Sequence, residues 1–251
     1  MPNRALRLQK NMKSKPHSTA SRAFSLVELL VVIAVIAIVA GFAVPAVTTM
    51  LKGSQLTQGS QAVVDQIALA RQTALSKNRS MEVRFYKYGD PETPGEDAQD
   101  PSTGFFRALQ VFEISDNGVA LPTGPVQRMP MNVIMSEDVL STMLKKDERT
   151  RVTKANLLGS DPEIPGLPKG FEKSYEYVAF RFLPDGSTDL APTGTASGTN
   201  TGDSWYITLI NPKDAKATKL GVKDGEAGNY FTLQIDPVTG STRSYRPQVG
   251  G

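Results

Sequence analysis

The 251-residue chain contains no cysteine and a single histidine, His17. The first absence excludes a disulfide framework, a thiolate metal site, an iron–sulfur cluster and a cysteine nucleophile. The second leaves a Ser–His–Asp enzyme to be built only from the polar, basic stretch around His17. A metalloenzyme would have to rely on carboxylates alone. Phosphate-loop and dinucleotide fingerprints are also missing, because the glycines sit in turn sequences rather than between a strand and a helix. Acid pairs do occur, at Glu137-Asp138 and Asp147-Glu148, and a charged surface accounts for them more simply than a catalytic or metal-holding pair. Asp97 to Asp100 and Asp224-Gly225-Glu226 lack the spacing of a helix–loop–helix calcium loop. The expectation is a protein that is not an enzyme and carries no metal or cofactor.

The charge is unevenly placed. The formal net charge is +3, from 28 basic and 25 acidic residues. Arg4, Arg7, Lys10, Lys13, Lys15 and Arg22 fall in residues 1–23, which hold no acid. With those six set aside, 22 basic residues face 25 acidic ones, a net of −3. The basic excess therefore belongs to a leader and does not argue for a nucleic-acid-binding domain.

From Leu29 to Val47 the chain reads LLVVIAVIAIVAGFAVPAV, with no charge and no strongly polar side chain. At helical rise this run covers roughly 28 Å, close to the hydrocarbon thickness of a bilayer. Six positive charges precede it and only Lys52 follows closely. That asymmetry places residues 1–23 in the cytoplasm and the bulk of the chain outside. A cleaved secretory signal is the competing reading, but AGFAVPAVTTM runs on into a helical pattern rather than into a cleavage site. Glu28, at the cytoplasmic edge of the run, is a carboxylate close to hydrocarbon that calls for a cationic partner.

The stretch Arg22-Ala23-Phe24-Ser25-Leu26-Val27-Glu28, followed by the apolar run, resembles the signal of type IV prepilins and type II secretion pseudopilins. The resemblance implies cleavage between Ala23 and Phe24 by a prepilin peptidase, which also methylates the new amine of Phe24. It further implies that Glu28 neutralises the N-terminal amine of a neighbouring subunit, and that Pro45 stands where many pilin helices are kinked or melted. Ala23 departs from the glycine usual before the cut, so slower processing is expected.

Beyond the membrane run, Val63, Ile67, Ala70 and Ala74 form a helical stripe, with Val64 and Leu75 beside it. Asp65, Gln66, Arg71, Gln72 and Lys77 are expected to face water, and Gly53 and Gly59 to mark a bend. From residue 81 the period becomes two. Met81, Val83 and Phe85 alternate with Glu82, Arg84 and Tyr86. Further strands are expected at Phe105 to Ser115, Met131 to Met135, Tyr175 to Leu183, Trp205 to Ile210, Tyr230 to Asp236 and Thr242 to Tyr245. Asp138 to Lys146 reads as a brief helix or an irregular edge. Loops 89–104 and 186–203 read as solvated, and Pro184-Asp185-Gly186 and Asp236 to Gly240 as turns. The run IALARQTALSKNRSMEVRF, with FRFLPDG and DPVTGSTRSY, resembles the GspH/FimT minor pseudopilins and the prepilin-like family called Verru_Chthon cassette protein D.

The expected fold is α+β and pilin-like, with a long N-terminal helix packed on an antiparallel β-sheet domain. Its expected parts are a cytoplasmic leader (1–23), a transmembrane helix (24–47), its amphipathic continuation (48–79) and an extracytoplasmic sheet domain (80–251). The expected function is that of an inner-membrane subunit of a type IV pilus-like or type II secretion filament. Its partners would be the bilayer, the peptidase and methyltransferase, and other pilin or pseudopilin subunits. Two alternatives stand beside it: a minor pilin that binds DNA or carbohydrate, and a membrane-anchored protein that does not assemble. For DNA the candidates are Arg243, Tyr245 and Arg246, too few for a strong electrostatic footprint. Lys213, Lys216, Lys219 and Lys223 form a second basic strip with acids mixed in, so nucleic acid is disfavoured as a partner.

Overall fold

The computed structural model describes residues 25–97, 100–137, 141–144, 151–152, 175–190, 205–212 and 229–246, without the side chains of 43–46, 48, 49, 101, 151 and 152. The chain divides into two compact units, Met1–Val47 and Thr48–Gly251. The division falls inside the one long helix, α1 (Leu26–Lys77). Gly53 and Gly59 lie within α1 and do not end it. It stops instead at Asn78, which takes a left-handed conformation with φ of 53°. The amide of Arg79 then reaches back to the carbonyl of Ala74 at 3.3 Å, closing the helix C-terminus as a Schellman turn. Asparagine tolerates that conformation better than most non-glycine residues. The strand sequence starts three residues later.

The sheet is antiparallel at every pairing described. Its strands are β1 (Met81–Tyr88), β2 (Phe105–Ile114), β3 (Ala120–Pro122), β4 (Gln127–Arg128), β5 (Ile134–Met135), β6 (Arg151–Val152), β7 (Glu176–Phe182), β8 (Trp205–Ile210), β9 (Phe231–Ile235) and β10 (Thr242–Tyr245). Their order is β10-β9-β8-β5-β2-β1-β7-β6, with β3 and β4 also paired to β2. The chain is therefore α+β. The expected strands at 81, 105, 175, 205, 230 and 242 are present within a residue or two. Only Ile134 and Met135 of the Met131 to Met135 stretch pair as a strand, and residues 142–144 of the Asp138 to Lys146 stretch form a single 3-10 turn. β3, β4 and β6 were not expected.

The two-residue β5 joins two wings, pairing Met135 with Phe106 on one side and with Leu209 on the other. Hydroxyls extend this seam where strand pairing ends. Thr142 Oγ1 accepts the amide of Tyr206 at 2.8 Å, Ser141 Oγ accepts that of Thr208 at 3.4 Å, and the amide of Ser136 donates to the Thr208 carbonyl at 2.7 Å. Side chains thus supply the acceptors that a longer strand would have offered.

One face of the sheet and the second part of α1 share a hydrophobic core. Val63, Ile67, Ala70 and Ala74 are fully buried in one cluster with Met81, Val83, Phe85, Leu109, Val178, Phe180, Phe182, Ile207, Leu233 and Ile235. The two alanines let the helix backbone approach the sheet closely. Arg71 does not face water as expected. Its Nε donates to the Gly186 carbonyl at 3.2 Å and its Nη2 to the Thr239 carbonyl at 2.9 Å, tying two turns to the helix. Both turns are closed by an aspartate: Asp185 Oδ1 accepts from the amide and hydroxyl of Ser187, and Asp236 Oδ1 accepts from the amides of Val238 and Thr239.

The other face is not the polar surface that the alternation of Glu82, Arg84 and Tyr86 suggests. Tyr86, Tyr88, Ala108, Phe112, Tyr175 and Tyr177 form a second buried cluster there, and Glu82 is buried beside it. The Tyr86 hydroxyl donates to Gln110 Oε1, and Gln110 Nε2 donates to the Gly124 carbonyl, so the chain after β3 folds over this face. Burial pushes the acidity of Tyr86 far below that of a free phenol. The register between β1 and β2 slips after Tyr86, because Tyr86 faces Ala108 while Lys87 faces Phe106. Arg107 is the extra residue of that bulge. Its guanidinium meets loop 89–104, with Nη2 on Glu96 Oε1 at 2.7 Å and Nη1 3.1 Å from Asp90 Oδ2. The second contact pairs the charges without a hydrogen-bond alignment, since Nε and Nη1 have no hydrogen-bond acceptor. The loop is thus partly packed rather than fully solvated: burial of Glu96 makes its carboxyl a weaker acid than usual, despite the nearby Arg107.

Two predictions follow from the packing and the turns. A Cβ on Gly53 meets only Asn229 Nδ2 at 3.8 Å, whereas one on Gly59 would sit 2.9 Å from Val133 Cγ1 and 3.2 Å from Pro130 Cδ. Gly53→Ala should therefore stabilise by about 1 kcal/mol through helix propensity. Gly59→Ala should lose that gain and more to overpacking, roughly 1–3 kcal/mol. Urea midpoints compare the two, and equal gains would mean that Pro130 and Val133 do not rest on the helix. The second concerns acid. Hydrogen bonds from Ser187 and Thr239 hold the carboxyls of Asp185 and Asp236 below their ordinary value of 3.8. Depressed folded-state values give stability that is present above 3.8 and lost as pH falls through them. Asp185→Asn/Asp236→Asn keeps the acceptors, so its unfolding free energy should fall less steeply below that pH than that of the parent.

Candidate functional site

The N-terminal part of α1 begins on a reciprocal pair of hydrogen bonds. The amide of Glu28 donates to Ser25 Oγ at 3.1 Å, and the amide of Ser25 donates to Glu28 Oε2 at 3.3 Å. This is a capping box, in which serine and glutamate three residues apart satisfy each other's amides at the start of a helix. The carboxylate also lies where the positive end of the helix dipole favours it. The spacing Ser-x-x-Glu ahead of an apolar run is a direct sequence sign of this arrangement, and reading Glu28 only as a charge seeking a cation misses it.

After the cap the helix is apolar on every side. Leu26, Val27, Leu29, Leu30, Val31, Val32, Ile33, Val35, Ile36, Ile38, Val39 and Phe42 are all exposed, most of them by more than half. A helix without a polar face has no stable orientation in water and belongs in lipid or among other apolar helices. Among the described residues no helix is long and apolar enough to cross a membrane. The described apolar side chains run to Phe42 and resume at Val47, and residues 43–46 of the expected span from Leu29 to Val47 lie outside that description. Pro45 falls within α1, and its side chain is among those outside the description. Ala23 and Phe24, the expected cleavage pair, also lie outside the described residues, as does the whole leader.

The expected nucleic-acid residues do not form a common free surface. Arg243 is exposed on β10. Tyr245, two residues on, is half-exposed, and its hydroxyl donates to Gln234 Oε1 at 2.7 Å. Arg246 is engaged elsewhere, donating from Nη1 to Thr57 Oγ1 and from Nη2 to Asn229 Oδ1. Lys213, Lys216, Lys219 and Lys223 lie outside the described residues, as do Asp138, Asp147, Glu148, residues 191–203 and Asp224-Gly225-Glu226. Glu137 pairs with Lys87 at 2.8 Å. No group of three or more acidic or histidine side chains among the described residues is placed to hold a metal ion.

The family model for the prokaryotic N-terminal methylation motif matches residues 18–44. That match takes in the expected cleavage pair, the Ser25–Glu28 cap and most of the apolar run, and it is consistent with a type IV pilin-like N-terminus. No curated protein and no solved structure matches the chain.

The cap predicts a local effect. Ser25→Ala removes the acceptor of the Glu28 amide and should cost about 1 kcal/mol of local helix stability. In detergent micelles, amide exchange at residues 26–30 should quicken while the rest of α1 is unchanged. Unaltered exchange there would show that Ser25 does not set the helix start.

Proposed function

We propose that this chain is a type IV prepilin-like subunit that resides in the inner membrane and enters a pilus-like or type II secretion filament through its N-terminal helix. The observation that carries this reading is a capped helix, apolar all round, inside a segment matching the N-terminal methylation motif. Such a helix needs lipid before assembly and like helices after it. Both environments satisfy the same side chains, so the subunit can pass from one to the other without a large change in apolar exposure. The leader, with six basic residues and no acid, would hold the N-terminus in the cytoplasm and the sheet domain outside.

In this reading the peptidase cuts between Ala23 and Phe24 and methylates Phe24, and Glu28 offers its carboxylate to the amine of a neighbouring subunit. The role is structural and needs no catalytic group. The sheet domain, with IALARQTALSKNRSMEVRF leading into it, supports a place near the GspH/FimT minor pseudopilins or the Verru_Chthon cassette protein D proteins.

The N-terminal sequence and mass of the protein from its native membrane test the reading. A start at N-methylated Phe24 is expected; a start at Met1 would leave a static anchor, and one beyond Val47 an exported protein. Glu28→Ala should then be processed normally yet lose filament incorporation by about tenfold or more, since it leaves an amine unpaired in hydrocarbon. Full incorporation of that variant would remove the charge-pairing role.

A further inference from the structure

The buried Glu82 does more than neutralise one arginine. Its Oε1 accepts from Arg84 Nε at 2.6 Å and its Oε2 from Arg181 Nε at 2.7 Å, so one carboxylate holds two guanidiniums by their inner edges. The register explains the meeting: Glu82 faces Arg181 across β1 and β7, with Arg84 two residues along on the same face of β1. The Glu82 side chain is only 7% exposed, against 19% for Arg84 and 45% for Arg181. The Arg84 guanidinium also lies over the Phe112 ring at 4.1 Å and the Tyr177 ring at 4.9 Å. Rings against its faces, a carboxylate on its Nε and the Tyr86 hydroxyl nearby leave part of the Nη edge for a further partner. Among the described residues the Arg181 guanidinium has no further hydrogen bond, the Arg84 guanidinium has only the Tyr86 hydroxyl beside it, and none of these Nη atoms is a buried, unsatisfied donor. Both side chains keep some exposure, so two guanidiniums oriented from the same buried carboxylate reach the outer face.

We propose that Arg84 and Arg181 form a binding site for a carboxylate ligand. Guanidinium forks match the planar geometry of a carboxylate and bind it through paired N–H donors. Charge favours a single negative charge over a dianion. The two arginines and Glu82 sum to +1, and Asp189 stands close by, with its Oδ1 accepting the amide of Arg181 at 2.7 Å. A dianion such as phosphate would bring excess negative charge against these two carboxylates. This site is independent of whether the chain enters a filament.

Benzoate is the probe, added to the full chain in detergent micelles, with sodium chloride at matched ionic strength as the reference and phosphate as the competing oxyanion. The readout is the set of arginine Nε–H resonances of isotope-labelled protein. Saturable benzoate binding is expected, on the order of millimolar in Kd. Arg84→Gln and Arg181→Gln should each weaken it by about tenfold or more, while Arg79→Gln, at a surface pair with Asp116, should leave it unchanged. Should Arg84→Gln disturb the fold, Arg181→Gln carries the test, because Arg181 is half-exposed and does not pack over those rings. Benzoate shifts no larger than those of chloride would overturn the proposal. So would unchanged affinity in Arg181→Gln, or tighter binding of phosphate than of benzoate.

Discussion

An apolar helix surface must be covered by something, and in this protein the two parts of one helix meet that requirement differently. Residues 26–42 present aliphatic side chains in every direction and leave them exposed within the single chain. Residues 56–74 present a single stripe, and the sheet covers it completely. The composition of α1 changes accordingly, from an unbroken apolar run to one in which Gln, Asp, Arg and Lys alternate with the stripe. Much of the remaining architecture serves that stripe. The Schellman turn at Asn78 sends the chain directly into β1, and Arg71 fastens the turns after β7 and β9 to the same helix.

The sheet is unusual in being buried on both faces without a second helix described against it. Its outer side holds tyrosines and paired charges in place of aliphatic residues. Such a face can be buried only if its polar atoms find partners, because an unpaired buried donor costs roughly 1–3 kcal/mol. Glu82 meets this condition through Arg84 and Arg181, and Gln110 and the hydroxyl of Tyr86 meet it with each other and with the Gly124 carbonyl after β3. Arg107 is the exception, with two nitrogens lacking hydrogen-bond acceptors even though its charge is balanced by Glu96 and Asp90. It sits on a bulge, where the strand leaves its regular ladder and a side chain is turned out of line.

What could be read from residues alone follows from periodicity. The stripe Val63, Ile67, Ala70, Ala74 and the long strands were legible because each repeats its period several times. β4, β5 and β6 have only two residues and β3 three, too short to show a period; their pairing is decided by the neighbours they meet. The alternation at Glu82 and Arg84 did not show their surroundings, which long-range pairing of Glu82 with Arg181 and stacking of Arg84 on Phe112 and Tyr177 decide. Arg71 misled for the same reason, since its acceptors lie more than a hundred residues away. The N-terminal methylation motif was legible as a local pattern of residues. One of its contacts, the Ser25–Glu28 cap, was equally visible in the spacing, and attention to the charge of Glu28 hid its role as a cap.

The observed cap and the proposed pairing of Glu28 can be weighed by magnitude. As a capping group its carboxylate contributes about 1 kcal/mol by accepting the Ser25 amide. As the partner of an amine at the edge of hydrocarbon it would offset a cost of several kcal/mol, because an unpaired charge there is far more expensive than a frayed first turn. The capping bond is therefore weak enough to be exchanged. The cap holds the carboxylate at the helix start, and under the proposed assembly an incoming amine would take it with little loss. Ser25 would then tune how readily Glu28 is released without itself touching the neighbouring chain.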